Sequence, residues 1–403
     1  MSTGSIIAKS LKSGKRAYLL KYDVGRDPLT GKRRQRYKQL SGPRWNKRKA
    51  EQELRRLLSE VDTGDHVDSS SETVADYLRR WLKDLAPMDC DSGSALERYG
   101  RIIEKNVIPT LGGIGLQKLT TAQVQAFYSY LLSDGRLNGE GGLSKRTCHH
   151  VHVLLSNAFS TAVDQGYMRR NPCSKAKVPK VNKAKISFLT DEETAVMIKA
   201  SEKIRSDNLR TLVVLGVTSG MRRGEMLALS WSNVDLNGHT VTVEQSLDEA
   251  AGVLTIKQPK SESSFRTIEI PRMTVEILRQ HRARQAEYRL KLGCGDNDWL
   301  VFEMPRVQPD GTVEFHPWFP RWATIAFTRF IRRTPVTRIT LHGLRHTYIT
   351  SALMAGKNIK VISELAGHSS IKITLDVYGH VLPGKGRDIA ESQEQRLRAC
   401  WGS

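Results

Sequence analysis

The chain has 403 residues, of which 39% are hydrophobic: enough for two or three domains with ordinary cores, and too apolar for a disordered chain. It has no run of eighteen apolar residues and no signal-peptide core in MSTGSIIAKSLKSGKR, so a soluble, cytoplasmic protein with no membrane partner is expected. Sixty-three basic residues against forty-two acidic ones give +21, a balance that favours nucleic acid, and five scattered cysteines without a C-x-x-C exclude a disulfide framework or a zinc site. The charge is concentrated at the start. Residues 1–60 hold seventeen Lys and Arg against five Asp and Glu, so +12 of the +21 lies in about a seventh of the chain. Within residues 1–66, Ser5–Leu11, Ala17–Val24 and Arg33–Leu40 read as strands, and a helix is predicted from Asn46 to Val61. A three-stranded sheet backed by one helix follows, with its Lys and Arg suited to a DNA groove.

A Ser-rich polar linker, residues 65–72, leads into a helical domain predicted for residues 72–172. Val74, Tyr77, Leu78, Trp81, Leu82 and Leu85 form one apolar stripe behind a Thr73 N-cap. A second helix is predicted over Ser94–Val107, stopping at Pro109. A third opens on the capping box of Thr120 and Gln123, and a fourth runs from Ser144 to Gln165. The linker NPCSKAKVPKVNKAK separates these from residues 186–403, predicted as an α+β domain. There Thr190 and Glu193 cap a helix, Leu212–Val217 leads into another, and Thr240–Glu244, Val253–Lys257 and Phe265–Ile270 suggest a small antiparallel sheet. Helices are expected from Pro271 onward. The fold class is thus multidomain and mainly α with small β-sheets.

Chance supplies about one His-x-x-Arg in a chain with eleven histidines and this arginine content, and two occur. His281-Arg-Ala-Arg284 lies in the charged stretch LRQHRARQAEYRLKL and reads as a solvated helix face. His342-Gly-Leu-Arg345 differs: it opens LHGLRHTYITSALMAG, where Leu341, Leu344, Tyr348 and Leu353 anchor a buried helix with His342 and Arg345 one turn apart.

LHGLRHTYITSALMAG followed by ISELAGHSSIKITLDVYGHV resembles the C-terminal signature of the tyrosine recombinase (phage integrase) family. Upstream, TSGMRRGEMLALSWSNVDL resembles that family's first arginine motif, and PKSESSFRTIEIP its lysine hairpin. The helical segment fits the core-binding (SAM-like) domain, and the basic first segment fits the arm-binding domain of lambda-like integrases. The resemblance implies that Arg222 and Arg345 grip the non-bridging oxygens of a scissile phosphate, a task suited to the planar arginine fork. Arg223 is the rival of Arg222, since helix neighbours point about 100° apart and one alone can reach. Glu225 reads as a structural buffer of that arginine. His342 and His368 are implied as donors, with His342 also able to assist proton transfer, and Lys260 as the acid for the leaving 5′ oxygen, with Lys257 as alternative. Tyr378 is implied as the nucleophile.

The implied reaction forms a 3′-phosphotyrosyl bond and a free 5′-OH, conserving bond energy, so neither cofactor, metal nor ATP is expected. The implied partners are double-stranded DNA at core and arm attachment sites, three further copies in a tetramer, a DNA-bending accessory protein and an excision factor. A helix over Asp388–Ala399 would either dock on a neighbouring protomer or fold back on its own domain. The implied function is integration or excision of a phage or other mobile element. A chromosome or plasmid resolvase of the same family, and a DNA-binding regulator without catalysis, are the alternatives.

Overall fold

The computed structural model describes residues 3–10, 16–26, 31–63, 67, 70–90, 93–181, 186–258, 265–294, 299–379 and 386–401. The chain forms two compact units, residues 1–91 with 95–182, and residues 92–94 with 183–403.

The first unit opens with an antiparallel sheet in the order β1 (Gly4–Ser10), β2 (Arg16–Arg26), β3 (Arg33–Ser41), against which α1 (Lys47–Asp62) packs. Asn46 caps α1 through Lys49 N–H. Leu20, Tyr22 and Leu40 bury themselves against Ala50, Leu54 and Leu57, a small core of its own. Alternation leaves Lys9, Lys21 and Tyr37 on the other face, since Lys9 pairs with Ala17 and Lys21 with Tyr37.

A separate core joins α2 (Val74–Arg80), α3 (Ala86–Asp89), α4 (Gly93–Ile102), α5 (Ile108–Leu111), α6 (Thr121–Asp134) and α7 (Lys145–Asp164). Thr73 and Thr120 cap α2 and α6 as the sequence predicts, and Ser144, predicted as the start of the fourth helix, caps α7. The second predicted helix does not stop at Pro109. It passes through a π-helical turn, Ile103–Val107, into α5, where Pro109 sits in the first turn. A proline ring lacks the N–H that an α-turn would use and clashes with the carbonyl four residues back; a widened turn relieves both.

The second unit contains α8 (Asp191–Ser201), α9 (Asp207–Ser219), α10 (Arg223–Leu227), β4 (Val234–Asp235), β5 (Thr240–Val243), β6 (Ser246–Ala250), β7 (Val253–Lys257), β8 (Arg266–Glu269), α11 (Arg272–Lys291), β9 (Glu303–Val307), β10 (Val313–Pro317), α12 (Pro320–Arg333), α13 (Leu341–Met354), α14 (Ile359–Leu365), α15 (Ile371–Tyr378) and α16 (Gly386–Trp401). The run Leu212–Val217 is the buried centre of α9 rather than its approach, and α9 packs against α11 and α13.

Three expectations need correction. The strands near 240, 253 and 265 do not share a sheet: β5 lies between β4 and β8, while β7 pairs with β6 as a separate hairpin. A second hairpin, β9 with β10, interrupts the helices expected after Pro271. Nor is His281 on a solvated face. Val275, Leu278, His281 and Gln285 form the buried stripe of α11, and the His281 ring packs between Trp231 and Phe302 with Nε2 2.7 Å from the Val301 carbonyl. Arg284 is the solvated partner in that motif, paired with Asp207. Among the described residues, no helix is long and apolar enough to cross a membrane.

Candidate active site

The site is assembled from the α9–α10 turn, strand β8, the start of α13, the α14–α15 turn and the end of α15. Gly220 ends α9 with φ +64°, and a Cβ there would stand 2.4 Å from a Tyr348 ring carbon, so glycine is required twice over. Two residues later Arg222 immediately precedes α10. Buried Glu225, in the first turn of α10, accepts the Arg222 backbone N–H at 2.8 Å and its Nη1 at 2.7 Å. Glu225 also accepts Arg266 Nη2 at 2.7 Å. Arg266 Nε donates to the Leu365 carbonyl at 2.6 Å, and Arg222 Nη2 donates to the Gly367 carbonyl. Gly367 has φ +62°, and a Cβ would fall 2.8 Å from Arg266 Nη1. One carboxylate and two arginines therefore clamp the turn that carries His368. Burial pushes the Glu225 carboxyl up, but Arg266 and Arg222 outweigh it and hold the group below its ordinary value, hence ionised at neutral pH.

Arg223 points elsewhere, its Nη1 donating to Thr324 at 2.9 Å. The geometry thus separates the two rival arginines.

Thr340 caps α13, and the helix then presents His342, Arg345 and His346. Arg345 is 2% exposed, and its Nη1 donates to the Gly220 carbonyl at 2.9 Å. Burial, then Arg222, lowers its pKa to about 10, while Glu225 pulls the other way. It remains a cation. His342 keeps an open edge to solvent. Displaced water, then His346, Arg345 and Arg222, hold it below its ordinary value, and the open edge limits that depression. His368 is more enclosed. Burial, followed by Arg345 and Arg222, pushes it down to about 4, and its Nδ1 lies 2.8 Å from Thr374 Oγ1. Both imidazoles are neutral at neutral pH.

Tyr378 ends α15 at 1% exposure, and burial pushes its phenol up to about 12 against the pull of Arg345. Its hydroxyl lies 2.5 Å from His346 Nδ1. The His346 ring in turn stands edge-on to His342, with centroids 4.8 Å apart. Of the six residues singled out from sequence, Arg222, His342, Arg345, His368 and Tyr378 meet here, and Lys260 lies outside the described residues. Its alternative, Lys257, is on β7 with Nζ 3.6 Å from Asp248. Sequence reasoning missed Arg266 and His346. Only the place of His346 directly after Arg345, and of Arg266 shortly after Lys260 in sequence, hinted at either.

Residues 187–384 match the model of the Phage integrase family, and residues 73–132 match the Phage integrase, N-terminal SAM-like domain. A XerC-like tyrosine recombinase of Caldanaerobacter subterraneus is 28% identical over 400 residues, covering 95% of this chain and 97% of the relative. The ICEBs1 integrase of Bacillus subtilis is 28% identical, with 96% and 99% covered. Among solved structures, the Tn1549 transposon integrase in complex with circular intermediate DNA shares the fold at TM-score 0.61 and 19% identity, covering 81% of this chain and 99% of that one. A lambda integrase dimer bound to a core site gives 0.52 and 20%, with 94% and 95% covered. With both family models matched in chain order and relatives aligned nearly end to end, the chain belongs to the phage integrase family, the tyrosine recombinases.

Proposed function

We propose that the chain is a site-specific integrase that cuts and rejoins double-stranded DNA through Tyr378, without metal or nucleotide, as a tetramer on core and arm attachment sites. The observation that carries this reading is the convergence of two cations, two neutral imidazoles and a buried phenol from segments as far apart as Arg222 and Tyr378. Arg222 and Arg345 grip the non-bridging oxygens of one phosphate. Fixed cations in a water-poor recess stabilise the charge that builds there in the transition state. His342 and His368 add donors, and Lys260 protonates the departing 5′ oxygen. Tyr378 forms the 3′-phosphotyrosyl bond, which a 5′-OH later reverses.

Residues 1–66 act as the arm-binding module, 72–172 as the core-binding domain and 186–403 as the catalytic domain. The basic sheet supports an integrase over a resolvase, because a second DNA-reading module serves an element that carries arm sites. A DNA-bending protein and an excision factor complete the assembly.

Tyr378→Phe tests the core of the reading. DNA binding should persist in a mobility shift while the covalent adduct vanishes from a denaturing gel. An adduct that survives moves the nucleophile elsewhere.

A further inference from the structure

We propose that His346, the residue after Arg345, is the base that takes the phenolic proton of Tyr378 as its oxygen attacks phosphorus. The inference rests on Tyr378 being the nucleophile. Its ground is contact: Nδ1 of His346 stands 2.5 Å from the Tyr378 hydroxyl, across 32 residues of sequence. His342, the more obvious base from the motif, packs against the far ring and not against the phenol in any contact described. The His346 ring is half-buried and fixed between the two, edge-on to His342 at 87°. A base must reach its proton at about 2.6–3.2 Å before its affinity matters, and His346 meets that test.

Burial and the charges around it keep both partners neutral. The groups facing His346 are Tyr378 from α15, and His342 and Arg345 from its own helix α13. Burial, then Arg345, holds the imidazole below its ordinary value, and burial holds the phenol above its own. Both partners are therefore neutral, and the productive tautomer carries its proton on Nε2 so that Nδ1 can accept from the phenol. A phosphodiester gripped by Arg345 brings a negative charge that offsets the guanidinium, so the imidazole becomes more basic when substrate arrives. In the forward step the Tyr378 oxygen bonds to phosphorus and the bond to the 5′ oxygen breaks. The phenolic proton passes to His346 Nδ1, and the leaving oxygen is protonated by its own acid. On rejoining, a 5′-OH attacks and gives its proton back to that deprotonated acid, while the imidazolium returns its proton to the departing phenol.

The test is single-turnover adduct formation by the full chain on a nicked core site, across a pH series. His346→Asn places an amide where Nδ1 was, able to hold the hydroxyl but not to take a proton. The expected result is a loss on the order of 10²-fold or more, with unchanged DNA affinity and loss of the acidic limb of the wild-type profile. Replacing Tyr378 by the more acidic 3-fluorotyrosine should restore much of the variant's rate while changing the wild type little. Cleavage within about threefold of wild type overturns the proposal; so does a slow variant that keeps the acidic limb and gains nothing from fluorotyrosine, which would make His346 a support only. Should the variant not fold, ¹⁵N-histidine spectra of the wild-type covalent adduct decide: His346 protonated on both nitrogens supports the step, and neutral in the adduct overturns it. An adduct from Tyr378→Phe would instead refute the nucleophile assignment beneath it.

Discussion

Replacing Glu225 by Gln probes the clamp that holds Arg222 and Arg266. The carboxylate accepts Arg266 and Arg222 at 2.7 Å each while 3% exposed. Gln keeps the volume, but removes the charge and turns an N–H donor toward groups that are donors already. Breaking one side of a buried ion pair costs about 3–5 kcal/mol, because the charge left behind is uncompensated. For a unit of this size each kcal/mol moves the melting temperature by roughly 2–4 °C, so a fall on the order of 10 °C is expected. The pH dependence has a definite sign. The folded pKa of Glu225 is depressed, so its contribution is complete above the unfolded value near ~4.3 and is lost as pH falls through the folded one. The gap between wild type and Glu225→Gln should therefore stay constant from pH 8 to pH 5 and narrow only in more acid solution. Calorimetry on the full chain reads both quantities. A melting shift under 2 °C at pH 7, or a gap that widens on acidification, would refute the clamp.

Arg222→Ala and Arg345→Ala should each slow single-turnover cleavage on the order of 10²-fold, by loss of a charge-matched donor. Arg223→Ala, whose guanidinium is engaged with Thr324, should stay near wild type; greater damage there would reverse the assignment. Cleavage should persist in EDTA without nucleotide, and complete loss restored by magnesium would sink the protein-only scheme. Deleting residues 1–66 should spare cleavage of a minimal core site, impair recombination and flatten the salt dependence, since each lost phosphate contact removes about 0.9 from the slope of log affinity against log salt. An unchanged slope would leave the basic sheet merely solvated.

Much of the architecture was legible because local chemistry announces it. Thr73, Thr120, Ser144 and Thr190 each start a helix by accepting a backbone N–H, and that pattern is written in consecutive residues. Pairing is not. β6 reads SLDEA, with no clean alternation, and β9 and β10 carry Pro305 and Pro317, residues that normally argue against a strand. His281 was hidden by six Lys and Arg on its own helix, which mask its buried stripe. Arg222, His342, Arg345, His368 and Tyr378 were singled out through motifs that resemble those of the tyrosine recombinase family. Arg266 and His346 were not, since what distinguishes them is contact with Leu365, Glu225 and Tyr378 across 32 to 99 residues.

The arginines differ in what they are paired with, and that difference bears on the reaction. Arg266 meets the carboxylate of Glu225, and its side chain is 7% exposed: a charge already neutralised, suited to holding a turn. Arg345 is as deeply buried, yet its described hydrogen bond goes to a backbone carbonyl, and its pKa falls to about 10. A buried guanidinium with a neutral partner is costly to the folded state. An anion that enters the recess offsets that cost, and a phosphodiester supplies one negative charge on two oxygens that match the arginine fork. The same arrival weakens the cationic field that, after burial, lowers the proton affinity of His368, His342 and His346, so the imidazoles gain proton affinity when there is a phosphate to serve. On the proposed assignment, then, substrate binding itself changes the protonation preferences of the site. The buried phenol of Tyr378 stays protonated until a phosphate lies within its reach.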